Sequence, residues 1–297
     1  MVLGLASTEY VPGTPGAPWT QDEVLVVKAK LFAIFHRDGG CFALDQMYDG
    51  INYNCKDYMK KIEAPNAAKM LRLGFHDCLK YSDGTGGCDG CLNWKGVGTR
   101  LDSRKGHFKF YYDNVTSTNN NGLGKTVEVL ERIYTDPKFP RDAAPYLNVS
   151  LKASGKSRAD LWAFAAIAAV EHGIQTNNMV CDGTQNGNPQ HQCNQWAGTP
   201  DCKVVLPRPI QFKTGRKDCI EVGDLPYKAT KPEVQPWSVG NGKKTIDFFT
   251  KNFNFSGRDT VAIFGAHTMG RLHFEISMYR YTWVNKGESS FNNHYYK

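Results

Sequence analysis

Apolar residues recur at helical spacing in five stretches of this chain. Their apolar positions are Val24, Val27, Leu31, Ile34 and Phe35; Met70, Leu71, Leu73 and Phe75; Leu161 to Val170; Ile246, Phe248, Phe249 and Phe253; and Val261, Ala262, Phe264 and Gly265. The first and last helices have capping-box starts, Thr20 with Glu23 and Ser256 with Asp259. The third stretch is apolar on all sides but only ten residues long, which indicates a core helix ending near Gly173 rather than a membrane span.

The second stretch carries two side chains that could act on one bound molecule. Pro65 suits the first turn of its helix, on which Arg72 and His76 lie four residues apart and project from the same face. A histidine can take a proton from a substrate while the fixed charge of an arginine stabilises a departing anion. Taken alone, an Arg–His pair at this spacing is more often a solvated helix face.

His267 follows the fifth stretch, and its neighbours Gly265, Ala266 and Gly270 are small. A neutral imidazole with small apolar neighbours is what an axial haem ligand requires, because the porphyrin edge must approach the backbone closely. A lone histidine in such a helix is more commonly an ordinary core residue.

Taken together, the two motifs resemble those of the plant-type haem peroxidase superfamily. The chain reads Arg72-Leu-Gly-Phe-His76-Asp77, similar to the distal motif R-x-x-F/W-H-D, and Gly265-Ala-His267-Thr-Met-Gly270, similar to the proximal motif G-A-H-T-x-G. Four further segments also resemble parts of this family. Residues 119–123 resemble the segment with the distal asparagine, and residues 159–171 resemble the central helix. Residues 212–218 resemble the F-x-x-G-R-x-D turn, and residues 291–296 resemble the F-D-N-x-Y-Y segment. The resemblance runs from about Thr20 to the last residue.

This resemblance implies a mainly α, two-lobed helical fold with haem b between a distal and a proximal lobe. It implies that His267 binds the haem iron, and that His76 and Arg72 act on hydrogen peroxide at the opposite face. Asn120 would accept the remaining imidazole N–H of His76, which keeps the other ring nitrogen basic.

The residues expected to line the haem combine features of two peroxidase classes. Ala266 and Phe75 would lie against it, and Phe75 is the type found above the haem in secreted members. Trp283 aligns instead with the tryptophan that cytochrome c peroxidase and ascorbate peroxidase carry below the haem. We expect that Trp283 could hold one oxidising equivalent.

The resemblance also suggests cation sites. Asp77, Gly87 and Asp89 stand at positions that bind a distal Ca²⁺ in secreted members, although Cys91 replaces a serine ligand. Thr268 matches one ligand of the proximal cation site, but the other positions of that site are unsuited, so no proximal Ca²⁺ is expected.

The composition is that of an ordinary globular protein. Of the 297 residues, 41% are apolar, and the net charge of +7 is scattered without a long basic run, which argues against nucleic-acid binding. Nine cysteines and the sequons at Asn114, Asn148 and Asn254 indicate a secreted, glycosylated, disulfide-bonded protein. No apolar run is long enough to span a bilayer.

The spacing of the cysteines leaves their pairing open. Cys41 and Cys55 bracket one short loop and Cys78 and Cys88 another, so that a local disulfide could close each. Cys91 forms half of a zinc-type motif with Cys88, but no second half follows, and it could be bridged elsewhere in the chain.

We divide the chain into an extended lead-in at 1–19 and one haem peroxidase domain at 20–297. The distal lobe would occupy about 20–173 and the proximal lobe about 204–297. Between them, about 174–203 contains three cysteines without periodicity and is interpreted as a disulfide-stapled insertion, with a metal site as the alternative. The family's proximal aspartate lies beyond the last residue, so the domain is expected to be incomplete.

The expected function is that of a haem-dependent peroxidase that reduces hydrogen peroxide and oxidises small aromatic or protein donors by one electron each. The sequence does not identify the reducing substrate. The alternative is a catalytically silent secreted protein that keeps the fold for a structural role, with matrix or assembly proteins as its partners.

Overall fold

The computed structural model describes residues 9–36, 64–93, 120, 122–181, 202–206, 210–220, 228–229, 231, 233–236, 241–273, 282–284 and 290–297. The α-helices of these residues are α1 (Gln21–Phe35), α2 (Ala67–Asp77), α3 (Gly124–Thr135), α4 (Arg158–Cys181), α5 (Gly242–Phe253) and α6 (Gly257–Phe264). Short 3₁₀ helices cover Gly265–Thr268 and His294–Tyr296, and the strands β1 (Leu92–Asn93) and β2 (Lys228–Ala229) pair in parallel. The predicted mainly helical fold is confirmed. Cys41, Cys55 and Asn114 lie outside the described residues.

The predicted capping boxes are both present. The Thr20 hydroxyl accepts a hydrogen bond from the backbone N–H of Glu23 at 3.2 Å, and the Glu23 carboxylate accepts the N–H of Thr20 at 2.7 Å. Ser256 and Asp259 form the same reciprocal pair at the start of α6. The predicted start of α2 is wrong, because Pro65 lies before the helix and not in its first turn. The helix begins at Ala67, and the Asn66 side chain caps it by accepting the backbone N–H of Lys69.

The predicted end of the central helix is wrong. Helix α4 continues through Gly173 to Cys181, so the first part of the predicted insertion, 174–181, is helical. Gly173 serves packing rather than capping, because a Cβ at this position would lie 2.8 Å from the sulfur of Met269. A disulfide joins Cys181 to Cys202, as expected of a stapled insertion.

Helix α4 is the centre of the apolar core. It packs against α1, α2 and α3, and Trp162 is its largest fully buried side chain. The backbones of α2 and α4 approach closely at Gly74, where an added Cβ would lie 2.5 Å from the Cβ of Ala166. Only glycine is compatible with this contact, which fixes how α2 is rotated.

Buried carboxylates attach the start of α4 to the predicted F-x-x-G-R-x-D turn. Asp218 accepts the backbone N–H of Arg158 at 3.0 Å and its guanidinium at 3.3 Å. In return, Asp160 accepts the backbone N–H of Gly215 at 2.8 Å and the guanidinium of Arg216 at 2.9 Å. Each carboxylate therefore satisfies main-chain donors as well as a cation, which offsets the free-energy cost of its burial.

None of the helices in the described ranges is long and apolar enough to cross a membrane.

We predict that the buried ammonium of Lys30 makes stability depend on pH. It donates to the carbonyls of Pro137, at 3.1 Å, and Phe139, and burial lowers the pKa of Lys30 to about 8. Between about pH 8 and the ordinary value of 10.5, the unfolded chain binds more protons than the folded one, so the free energy of unfolding should rise with pH. We expect a rise of about 1 to 3 kcal/mol in urea titrations.

The Lys30→Met variant should lack this rise. Lys28→Met is the matched control, because Lys28 lies on the same helix but is partly exposed and pairs with Glu171. Equal pH slopes for wild-type protein and Lys30→Met would show that the ammonium is not responsible.

Candidate active site

Arg72 and His76 lie on the face of α2 that is turned away from the core, because Met70, Leu73 and Asp77 are buried on the other side. Burial lowers the pKa of Arg72 to about 10, so its guanidinium is charged at neutral pH. Burial and, to a smaller extent, the charge of Arg72 lower the pKa of His76 to about 3. Helix α2 thus carries a fixed cation and a neutral imidazole.

Asn120 determines which nitrogen of His76 is basic. The Nδ1 atom of His76 and the Oδ1 atom of Asn120 are 2.8 Å apart. The Nδ2 atom of Asn120 donates to the carbonyl of Asn93 at 2.9 Å and to the Glu233 carboxylate at 3.0 Å. Because both of these groups accept hydrogen bonds, the amide oxygen must face His76. Nδ1 therefore carries the proton, and Nε2 keeps its lone pair.

Glu233 is the member of this network that the sequence analysis missed. Its carboxylate also accepts the backbone N–H of Asn93 at 2.8 Å, and its backbone bridges to Tyr81. Burial raises the pKa of Glu233. It lies 113 residues beyond Asn120 and outside every quoted motif, so no local sequence signal could have identified it.

The loop after α2 is fastened by disulfides and by Asp77. Disulfides join Cys78 to Cys88 and Cys91 to Cys219, so Cys91 is bridged across the chain. One oxygen of Asp77 accepts the backbone N–H groups of Gly90, at 2.8 Å, and Cys91, at 3.2 Å. These bonds hold the loop against the end of α2.

Asp77 and Asp89 do not form a recognisable metal cluster. The second oxygen of Asp77 is buried without a partner among the described residues, and burial and the charge of Asp89 raise the pKa of Asp77. Both oxygens of Asp89 lie 3.2 Å from the Tyr81 hydroxyl, and Gly87 has φ +109°. No group of three or more His, Cys, Asp or Glu suited to a metal occurs in the described ranges, and distal Ca²⁺ stays a prediction.

Thr268, the one residue that matches a ligand of the family's proximal cation site, makes a hydrogen bond through its side chain. Its hydroxyl donates to Oδ1 of Asn292 at 3.0 Å, and Asn292 donates to Asn177 at 3.2 Å. The hydroxyl of Thr268 is therefore hydrogen-bonded to the side chain of Asn292.

His267 lies on the 3₁₀ helix that follows α6, next to Ala266. Burial lowers the pKa of His267, and its Nδ1 atom is buried without a partner among the described residues. The Trp283 ring stacks on the imidazole with centroids 4.4 Å apart and planes 13° apart, while Tyr295 approaches at 5.2 Å. A neutral imidazole held by rings has the character expected of an axial ligand.

Phenylalanine rings connect α2 to His267. The Phe75 ring contacts Phe249 of α5 at 6.2 Å between centroids, and Phe249 contacts Phe264 at 5.7 Å. Phe264 in turn lies 5.6 Å from the imidazole of His267. One aromatic wall is therefore shared by the helix of Arg72 and His76 and the segment of His267.

Residues 51–297 match the profile of the family described as Peroxidase. The chain belongs to the peroxidase family. It is 24% identical over 228 residues to the "Putative heme-binding peroxidase" of Debaryomyces hansenii, a match covering 77% of this chain and 37% of that protein. A protein of the same name from Mycosarcoma maydis is 33% identical over 88 residues, which are 30% of this chain and 25% of the relative.

A mitochondrial cytochrome c peroxidase of Candida albicans is also similar to this peroxidase. The two are 27% identical over 127 residues, which cover 43% of this chain and 25% of the relative. The chain thus spans well under half of the length of the curated relatives it matches.

The residues of this peroxidase fit a haem. His267 offers an imidazole that burial keeps neutral, which is the form that binds a metal. Arg72 and His76 add a charged guanidinium and a second neutral imidazole on α2.

We predict that Glu233 acts through Asn120 on the tautomer of His76. In Glu233→Leu, one hydrogen of the Asn120 amide loses its acceptor, so the amide can turn and the proton on His76 Nδ1 loses its partner. Glu233→Gln keeps an acceptor oxygen and should behave like the wild-type protein. Long-range ¹⁵N–¹H NMR of the imidazole reads out the tautomer directly.

Glu128→Leu is the control for loss of a carboxylate, because the Glu128 side chain is partly exposed on α3 and pairs with Lys125. An unchanged Nδ1–H tautomer in a folded Glu233→Leu protein would contradict the prediction.

Proposed function

We propose that this peroxidase is a haem-dependent enzyme that reduces hydrogen peroxide and oxidises small aromatic or protein donors by one electron each. The observation that supports it most is the hydrogen bond between Nδ1 of His76 and Asn120, which leaves Nε2 basic on the helix that also carries the charged Arg72. The heme-binding peroxidases among its relatives point in the same direction.

Haem, held through His267, would supply the redox-active iron that stores the two oxidising equivalents of one peroxide molecule. Nε2 of His76 would take the proton from the inner peroxide oxygen and deliver it to the outer oxygen, which leaves as water. Arg72 would stabilise the negative charge that develops as the O–O bond breaks. Two donor molecules would then each give up one electron and one proton, which completes the reduction of hydrogen peroxide to two waters.

We also propose an extracellular location with N-linked glycans. Support comes from the three disulfides between described residues, which are typical of oxidising compartments, and from the exposed sequon residues Asn148 and Asn254. A distal Ca²⁺ at Asp77 and Asp89 belongs to the same proposal, supported by the orphaned Asp77 oxygen.

We predict that His76→Ala lowers the rate constant for reaction with hydrogen peroxide by about 10²- to 10⁴-fold, since the general base is lost. Arg72→Ala should lower it through loss of charge stabilisation. Because the pKa of His76 is about 3, the wild-type rate should hold across neutral and mildly acidic pH and fall only as the pH approaches 3. Stopped-flow absorbance at the Soret band, with haem added to the purified protein, measures all three.

Lys152→Gln is a suitable control, because Lys152 is exposed and pairs with Glu9. A wild-type protein that takes up no haem and shows no turnover would refute the proposed function and favour the silent matrix protein.

We predict that Trp283 can carry one oxidising equivalent, because its ring stacks in parallel on the imidazole of His267 at 4.4 Å. Spin resonance of the haem-loaded protein after peroxide should show a tryptophan radical that Trp283→Phe abolishes. A porphyrin radical alone in the wild-type protein would exclude this role.

A further inference from the structure

A cavity of about 520 Å³ lies between the loop after α2 and helix α5. Lys80, Lys244 and Lys251 line it, together with the rings of Tyr81 and Phe248. Its volume falls within the range of ordinary small-molecule sites, which have room for one or two aromatic rings.

The charge of this cavity is positive. Among the described residues, no carboxylate lies within ion-pair distance of the ammonium groups of Lys80, Lys244 or Lys251. Asp247 is the acidic residue of the lining, and its carboxylate pairs with Lys243, outside the cavity, at 2.7 Å. The cavity therefore favours an anion.

Gln235, which also lines the cavity, has a side-chain N–H donor without an acceptor among the described residues. The Nε2 atom of Gln235 is buried, and no described residue accepts a hydrogen bond from it. An unsatisfied buried N–H group costs about 1 to 3 kcal/mol. A carboxylate bound in the cavity would give this donor an acceptor and offset part of the positive charge of the lysines.

The apolar side of the cavity leads toward the proposed haem site. Phe248 packs edge-on against Phe249 with centroids 5.2 Å apart. Phe249 belongs to the aromatic wall that connects Phe75 with Phe264 and His267. A ring lying against Phe248 is thus separated from this wall by a single phenylalanine layer.

We propose that this cavity binds an aromatic carboxylate, with the carboxylate among the three lysines and Gln235 and the ring against Phe248. Where the ring carries a phenol, the ligand is an electron donor for the proposed peroxidase reaction, and this part rests on that function. Two phenols each lose one electron and one proton, and hydrogen peroxide with these two electrons and two protons gives two waters.

The test uses 3-(4-hydroxyphenyl)propanoate and its methyl ester, a matched ligand without the charge. NMR titration of the protein without peroxide gives both dissociation constants. We expect the acid to bind about tenfold or more tightly than the ester, to shift the amide signals of Val234 and Lys244, and to weaken with added salt. Equal dissociation constants for acid and ester would overturn the proposal.

Lysine variants distinguish binding in the cavity from a general effect of the protein's positive charge. Lys80→Gln, Lys244→Gln and Lys251→Gln should each weaken binding of the acid about two- to fivefold, and the triple variant should bring it to the level of the ester. Lys152→Gln, which removes an equal charge elsewhere, should change nothing. An effect of Lys152→Gln equal to that of the cavity variants would also overturn the proposal.

Two further variants should change the affinity for the acid in opposite directions. Asp247→Asn should tighten binding of the acid about twofold, because it removes the negative charge of the lining. Gln235→Met should weaken binding while raising the melting temperature, because it removes a donor that lacks a partner in the free protein. Loss of stability without loss of binding in Gln235→Met would contradict the role of its Nε2.

Kinetics of the haem-loaded protein test the donor role separately. The triple lysine variant should raise KM for the acid and leave kcat and the ester kinetics unchanged. Binding of the acid to a protein that turns over neither acid nor ester would remove the donor role and the proposed function, but not the site. Turnover of both with identical KM in wild type would remove the site and keep the proposed function.

Discussion

The close contact between α2 and α4 is the constraint on which the distal site depends. At Gly74 the two helices approach so closely that a Cβ would collide with Ala166 at 2.5 Å. This contact fixes the rotation of α2, because one position along a helix turns a side chain by about 100°. Arg72 and His76 consequently face away from the core together. A helix turned by one position would direct the guanidinium and the imidazole elsewhere.

Local signals predicted the parts of the fold that local contacts determine. The capping boxes at Thr20 and Ser256 involve residues three apart, so the sequence alone carries both partners. Gly173 was misinterpreted because its environment is tertiary: Met269, far along the chain, occupies the space where a side chain would lie. Glu233 could not be predicted at all, since its function depends on a contact with Asn120 across 113 residues.

The two histidines are held in place by different kinds of contact. His76 is oriented by polar groups, with Asn120 on Nδ1 and acceptors behind the amide that prevent it from turning. This arrangement defines the tautomer and thereby creates a base. His267 is oriented by rings, chiefly Trp283 and Phe264, which fix the plane of the imidazole but leave its protonation to burial.

The surroundings of Nδ1 determine how strongly each imidazole donates electrons through Nε2. An acceptor at Nδ1 increases the basicity of the opposite nitrogen, and Asn120 provides a neutral one for His76. Nδ1 of His267 has no acceptor among the described residues, and its ring is positioned by stacking on Trp283. Among the described residues, packing against rings therefore sets the plane of the His267 imidazole, whereas a hydrogen bond sets that of His76.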